Sequence, residues 1–316
     1  MAGFKFLVYA AELNPATYCQ LFYVLAAATV VVIAATPESI QDRLTQYGAR
    51  SLATGISDDE NGEQANNGPL TRFVSWLTSV GKVPHSWFIH FYIVSLSCSV
   101  FWAVQFLRHG TILESIVRNQ ASRETTSMTI NQVILTWFLM SLQGVRRLYE
   151  YVGVLRPSSS PMWFIHWLLG IAFYFCTNIS IWIEGSNSIQ RSDGRSIEPV
   201  VLSYNVIFGV IMFLTSWFLQ YRCHSYLSQL KKYSLPNEGL FRYLVCPHYT
   251  CECALYLSLA LVAAPEGRLY NRTLICAVLF VAVNLGVTAN GTKKWYSEKF
   301  GPEKVQGKSR MIPGVF

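Results

Sequence analysis

Apolar runs of about 20 residues recur along this chain, and a helix of that length and composition can cross a hydrocarbon core about 30 Å thick. Seven stretches qualify: Ala16–Thr36, Val83–Leu107, Ile130–Val154, Met162–Glu184, Val200–Leu219, Val245–Ala264 and Leu274–Gly286. The last is short and could continue through Ala289. The fold class expected is an all-α integral membrane protein of about seven transmembrane helices. Composition agrees, because only 14% of the residues are charged and 52% are hydrophobic, whereas a soluble domain carries about 25% charged residues. A net charge of +7 suits either nucleic acid or an anionic membrane surface. The apolar runs decide for the bilayer as partner, and no nucleic-acid partner is expected.

The first run follows a polar start containing Lys5, Glu12 and Asn14. Its length is that of a spanning helix rather than a signal-peptide core. The long polar connection runs from Pro37 to Lys82, and its centre, 55–69, reads GISDDENGEQANNGP. Glycine, asparagine and acid without aromatics cannot bury a core, so a disordered loop is expected there. With no internal repeat, residues 1–316 are read as a single polytopic membrane domain. Seven spans put the C-terminus on the side holding 17 of the 25 lysines and arginines, which predicts a cytosolic tail. The sequon Asn271-Arg272-Thr273 then faces the lumen but hugs the membrane, where a glycan is not expected.

Eight cysteines are scattered, mostly inside apolar runs, without a disulfide-like spacing. Cys223, His224, Cys246, His248, Cys251 and Cys253 cluster, but no CxxC pair exists and no metal is expected.

Polar residues inside spans cost free energy and need a reason. Three clusters stand out. Gln143 to Glu150 reads QGVRRLYE, with Arg147 and Glu150 three apart on one helix face, where they can pair. Gln220-Tyr221-Arg222-Cys223-His224 is followed by Lys231-Lys232, with Gln220 and His224 four apart on one face. Cys246-Pro247-His248-Tyr249-Thr250-Cys251-Glu252 places proline at a helix start and His248 one turn before Glu252. Each could be an interfacial anchor. Together they describe a polar, basic, cytosol-facing cavity, which suits either an enzyme with an anionic cofactor and an apolar substrate or a transporter of an anionic lipid. No GxGxxG or phosphate loop is present.

The stretches VPHSWFIHFYIVSL (83–96), RRLYE (146–150), QYRCHSYLSQLKK (220–232), GLFRYLVCPHYTCE (239–252), KKWYSEKF (293–300) and the terminal RMIPGVF resemble the steroid 5α-reductase family, in order and spacing. The first and third of them resemble its polyprenol/polyprenal reductase branch. The resemblance implies a 5α-reductase-like seven-helix bundle in the endoplasmic reticulum membrane, with NADPH held by the later helices and a polyisoprenoid lipid enclosed by the earlier ones. It implies cofactor contacts at Arg147, Gln220, His224, Lys231, Tyr233, His248, Glu252 and Tyr296. For that branch, the reaction is reduction of the α-isoprene double bond, polyprenal to dolichal, supplying dolichol for protein N-glycosylation.

Departures sharpen the expectation. The steroid-reducing members carry a glutamate in the second span and a tyrosine where this chain has Gly144; the second span here has His85 and His90 but no glutamate. Hydride adds readily to an alkene conjugated with a carbonyl, because the oxygen takes up the developing charge, and an allylic alcohol offers no such sink. A donor for that oxygen and an acid for the α-carbon are then required. His90 and Tyr92, with Glu150, are the candidates. The rival readings are a membrane methyltransferase of the isoprenylcysteine or phospholipid type, which shares the cavity but has Arg-His-Pro where this chain has Cys-Pro-His, and a steroid or trans-2-enoyl-CoA reductase of the same family.

Overall fold

The computed structural model describes residues 13–36, 81–124, 126–155, 161–192, 203–231 and 234–316. The 55–69 loop and Tyr233 lie outside the described residues. The long helices are α1 (Pro15–Ala34), α2 (Ile89–Leu107), α4 (Ile130–Gly153), α5 (Phe164–Glu184), α7 (Tyr204–Gln229), α8 (Pro247–Val262) and α9 (Arg272–Phe300). Two short helices, α3 (Thr111–Ala121) and α6 (Ser186–Arg191), and a ribbon of β1 (Lys82–Pro84) with β2 (Pro161–Trp163) complete the main elements.

Five of these helical stretches are long and apolar enough to cross a membrane, where the sequence predicted about seven. They are Pro15–Ala34, His85–Leu107, Phe164–Glu184, Tyr204–Gln229 and Arg272–Phe300. Among the other long helices, α8 has only 16 residues, and the last turns of α4 carry Arg146, Arg147 and Glu150.

Several expected boundaries move. Val83 and Met162 belong to the antiparallel ribbon, which closes the entries to α2 and α5. The fifth stretch continues to Gln229, so Gln220 and His224 lie on one helix, as their spacing of four implied. The seventh becomes the 29-residue α9.

Local chemistry sets many of the starts. Asn14 Oδ1 accepts from the Thr17 amide at 2.8 Å ahead of Pro15. Thr129 and Gln132 form a reciprocal capping box on α4. Pro247 opens α8, where its missing N–H costs nothing. Asn271 caps α9 through the Leu274 amide at 3.1 Å.

The long helices alternate in direction, and side chains at one end of the bundle show it. The Met128 amide donates to the Glu184 carbonyl at 2.9 Å. Gln132 Nε2 donates to the Val262 and Ala264 carbonyls at 3.0 and 2.6 Å. Gln20 Nε2 donates to Thr273 Oγ1 at 2.8 Å, and Asn271 Nδ2 to Glu184 at 3.1 Å. The start of α1, the ends of α5 and α8 and the start of α9 therefore meet at one end. The ends of α4 and α7 and the start of α8 meet at the other.

Small residues let the helices close on one another, as membrane packing requires. A Cβ on Gly209 would sit 3.1 Å from the Ser258 carbonyl oxygen of α8. A Cβ on Gly144 would stand 3.1 Å from Leu96 of α2. The core between them is aromatic: Phe173 meets Tyr23, Tyr256 and Phe280 at ring distances of 6.0, 5.3 and 5.5 Å. Outward-facing Leu25, Val100, Phe208 and Ile211 are all more than half exposed, an apolar exterior that suits lipid.

Candidate active site

The end of α4 supplies the centre of the site. Residues 143, 146, 147 and 150 recur at helical spacing, so one side of an otherwise apolar helix carries two arginines, a glutamine and a glutamate. Glu150 is fully buried. Its carboxylate pairs with Arg146 Nη1 at 2.8 Å, with Arg147, and with His224 Nδ1 of α7 at 2.8 Å. Arg147 Nη2 donates to the Tyr92 hydroxyl of α2 at 2.7 Å, and its guanidinium lies 5.1 Å from that ring's centroid. Arg146 Nη2 donates to Gln143 Oε1 at 2.7 Å and to Gln220 of α7. Gln220 Nε2 in turn donates to the His248 carbonyl at 3.2 Å and to Glu252 of α8. Four helices thus meet in one continuous polar network, with two arginines set against two glutamates and most donors given acceptors.

His224 Nδ1 lies near both Glu150 and Arg147 Nη1, the latter at 2.9 Å. One nitrogen cannot donate to the first and accept from the second. A carboxylate can only accept, and Arg147 already donates to Glu150, so Nδ1 carries the hydrogen and Glu150 receives it. The ring is thereby held in one tautomer with Nε2 pointing away from the carboxylate. Its centroid stands 5.6 Å from that of His248, whose buried Nδ1 has no hydrogen-bond partner.

The expected residues divide by place. Tyr92, Arg147, Glu150, Gln220, His224, His248 and Glu252 come together. His90 does not join them. Two residues from Tyr92 on α2, it is turned by about 200°, and its Nδ1 accepts from Trp167 Nε1 at 3.2 Å beside Trp87. Lys231 follows α7 and is exposed. Tyr296 packs beside the Val245, Cys246, Ala289 and Met311 cluster rather than in the network.

Arg146 and Gln143 were read within the 143–150 cluster but given no role in the site, although their spacing with Glu150 was the available signal. Among the described residues no three His, Cys, Asp or Glu side chains form a group that could hold a metal.

The terminal segment braces this region. The Val245 and Cys246 amides donate to the Ser309 and Arg310 carbonyls, both at 2.9 Å, and Thr250 Oγ1 donates to the Met311 carbonyl. Lys308 Nζ donates to the Pro236 carbonyl at 3.0 Å, and burial pushes its ammonium group below the usual lysine range. Phe241, 3% exposed, lies between Tyr226 and His248 at 5.5 and 6.1 Å.

The model of the 3-oxo-5-alpha-steroid 4-dehydrogenase family matches residues 161–316. The chain is 27% identical to a polyprenal reductase of Caenorhabditis elegans over 256 residues, which is 74% of this chain and 80% of that one. It is 26% identical to a polyprenal reductase of Xenopus laevis over 263 residues, 77% of this chain and 80% of the relative. Against a polyprenal reductase of Saccharomyces cerevisiae the identity is 35% over 171 residues, 52% and 58% of the two chains. These similarities support the steroid 5α-reductase family and its polyprenal reductase branch. Gln220, His224, His248 and Glu252 lie inside the stretch that the family model matches. Tyr92, Arg146, Arg147 and Glu150 precede that stretch, and the structure ties them to it through the Arg146–Gln220 and Glu150–His224 contacts.

Proposed function

We propose that this protein is an NADPH-dependent polyprenal reductase of the endoplasmic reticulum membrane. It reduces the α-isoprene double bond of polyprenal to give dolichal, within the conversion of polyprenol to dolichol that supplies protein N-glycosylation. In this reading α4 and α8 are also crossings, giving seven, and the site end of the bundle is cytosolic. The observation that carries the reading is the Tyr92–Arg147–Glu150–His224 network, buried inside the apolar bundle of a chain that is similar to relatives named for this activity.

The residues fit the cofactor. An anionic dinucleotide calls for cations and donors at a cytosolic mouth, and the unpartnered His248 Nδ1 and Arg146 Nε are polar atoms that packing alone leaves unsatisfied. Gln220, His224, His248 and Glu252 would hold its nicotinamide and ribose end, with Lys231 toward a phosphate. When bound, NADPH supplies the hydride taken up at the carbon β to the aldehyde. Tyr92 accepts a hydrogen bond from Arg147, so its own O–H hydrogen remains for the aldehyde oxygen. Arg147 beside it favours the negative charge that grows there. Glu150 fixes Arg147 and His224 in place and balances their charge. The apolar bundle keeps water from the reacting end, and the absence of a second-span glutamate argues against a steroid ketone.

The test is purified protein with NADPH and either polyprenal or polyprenol. NADPH oxidation with formation of the saturated aldehyde is expected from polyprenal, and none from pure polyprenol. Efficient reduction of the alcohol, or binding of S-adenosylmethionine in place of NADPH, would overturn the reading.

A further inference from the structure

The face of α8 that bears His248 and Glu252 carries one more polar group. Tyr256 lies four residues beyond Glu252, on the same face and one turn further from the site end. It is 3% exposed, and its ring stands edge-on to Phe173 at 5.3 Å. Its hydroxyl is buried without a partner in hydrogen-bonding geometry, although Tyr174 of α5 is its neighbour. Tyr174 in turn meets the Tyr92 ring at 6.3 Å. Three tyrosines from α2, α5 and α8 therefore sit on the bilayer side of the charged network, where an apolar substrate would present its polar end.

A buried hydroxyl with no bond is a cost that phenylalanine would avoid. The ring alone would fill the space, as Phe173 does beside it. The oxygen at this position needs another reason, and the reduction requires a proton donor that the network does not supply. Tyr92 is committed to Arg147, which suits holding an oxygen anion. His90 faces Trp87 and Trp167.

We propose that the Tyr256 hydroxyl delivers the proton to the α-carbon, an assignment that rests on the polyprenal reductase reading. Hydride from NADPH forms the new C–H bond at the β-carbon, and the electron pair of the double bond moves onto the carbonyl oxygen as an enolate. As the enolate collapses, the α-carbon takes the Tyr256 proton: the O–H bond breaks, the second C–H bond forms, and the saturated aldehyde results. The phenolate regains a proton through the Tyr174 hydroxyl, resupplied from water.

The experiment compares full-length wild type with Tyr256→Phe, measuring kcat and KM for polyprenal, NADPH affinity and the thermal midpoint. Proton donors contribute about a hundredfold or more, so kcat is expected to fall by at least about that factor. NADPH affinity should stay within about twofold, and the midpoint should be unchanged or higher, because the lost hydroxyl had no partner. A kcat within about threefold of wild type, or a loss that tracks a lower midpoint or weaker NADPH binding, overturns the assignment. If the variant fails to fold, 3,5-difluorotyrosine at 256 replaces it. That more acidic phenol should move the alkaline limb of the kcat profile to lower pH, and an unmoved limb overturns the assignment. Wild type that reduces no polyprenal would instead refute the functional reading and this inference with it.

Discussion

Glu150 is the residue on which the site balances. One buried carboxylate serves Arg146, Arg147 and His224, and through Arg147 it also sets Tyr92. Glu150→Gln keeps the shape and removes the charge, leaving two arginines facing an amide. Removing one partner of a buried pair costs about 3–5 kcal/mol, and here the loss also frees the His224 tautomer. Glu252→Gln is gentler, since its amide oxygen can still accept from Gln220 Nε2. Glu150→Gln is therefore expected to lower the thermal midpoint and cut turnover by at least about a hundredfold, the scale of a lost preorganised electrostatic contact. Glu252→Gln should chiefly weaken NADPH binding. Thermal melts and steady-state kinetics on both variants check this, and equal, small losses would show that Glu150 is no more than packing. The pairing of Glu150 with Arg147 was visible three residues apart in the sequence, whereas its bonds to Arg146 and His224 were not. That both adjacent arginines turn inward depends on helix rotation, and the contact with α7 joins residues 74 apart.

The elements show where sequence periodicity runs out. All seven long helices fall on the stretches expected, and five of them are long and apolar enough to cross a membrane. Their ends were less legible. Hydropathy falls where α7 reaches Gln220, Arg222 and His224, yet the helix continues, since Gln220 and His224 find partners across the bundle rather than water. The ribbon of Lys82–Pro84 with Pro161–Trp163 is too short to show a period of two. The amphipathic α3, burying Leu113, Val117 and Gln120, lies between expected spans. At the start of α9 the structure explains an expectation on other grounds. Asn271 of the sequon is fully buried, capping the helix and bonding to Glu184 and the Ala263 carbonyl. No glycan fits there. Asn271→Ala removes a cap worth about 0.5–2 kcal/mol and leaves Glu184 short of a donor, but it lies at the end of the bundle away from the site. The variant should melt lower in detergent while turnover per folded molecule stays within about twofold of wild type, a difference under 1 kcal/mol. A large loss of turnover at unchanged stability would show that the two ends of the bundle are coupled.

At the scale of the whole molecule, helix direction fixes which groups share a side. The start of α1, the ends of α5 and α8 and the start of α9 are joined by Gln20, Gln132, Asn271 and Glu184 at one end. The network, the brace of residues 308–311 and the end of α9 lie at the other. If seven helices cross, as proposed, the two termini lie on opposite sides, and the positive-inside bias would put the site end in the cytosol. That is also the side from which NADPH would enter. Two reporters test the arrangement together in sealed, cytosol-side-out microsomes. An epitope appended after Phe316 should be removed by added protease. A cysteine at exposed Glu266, in the turn between α8 and α9, should react with a membrane-impermeant maleimide above the wild-type background only after permeabilisation. A protected epitope with a reactive residue 266 would invert the molecule and place the network away from the cofactor. Both reporters on one side would mean an even number of helices separates the two positions, and α9 would not be a crossing.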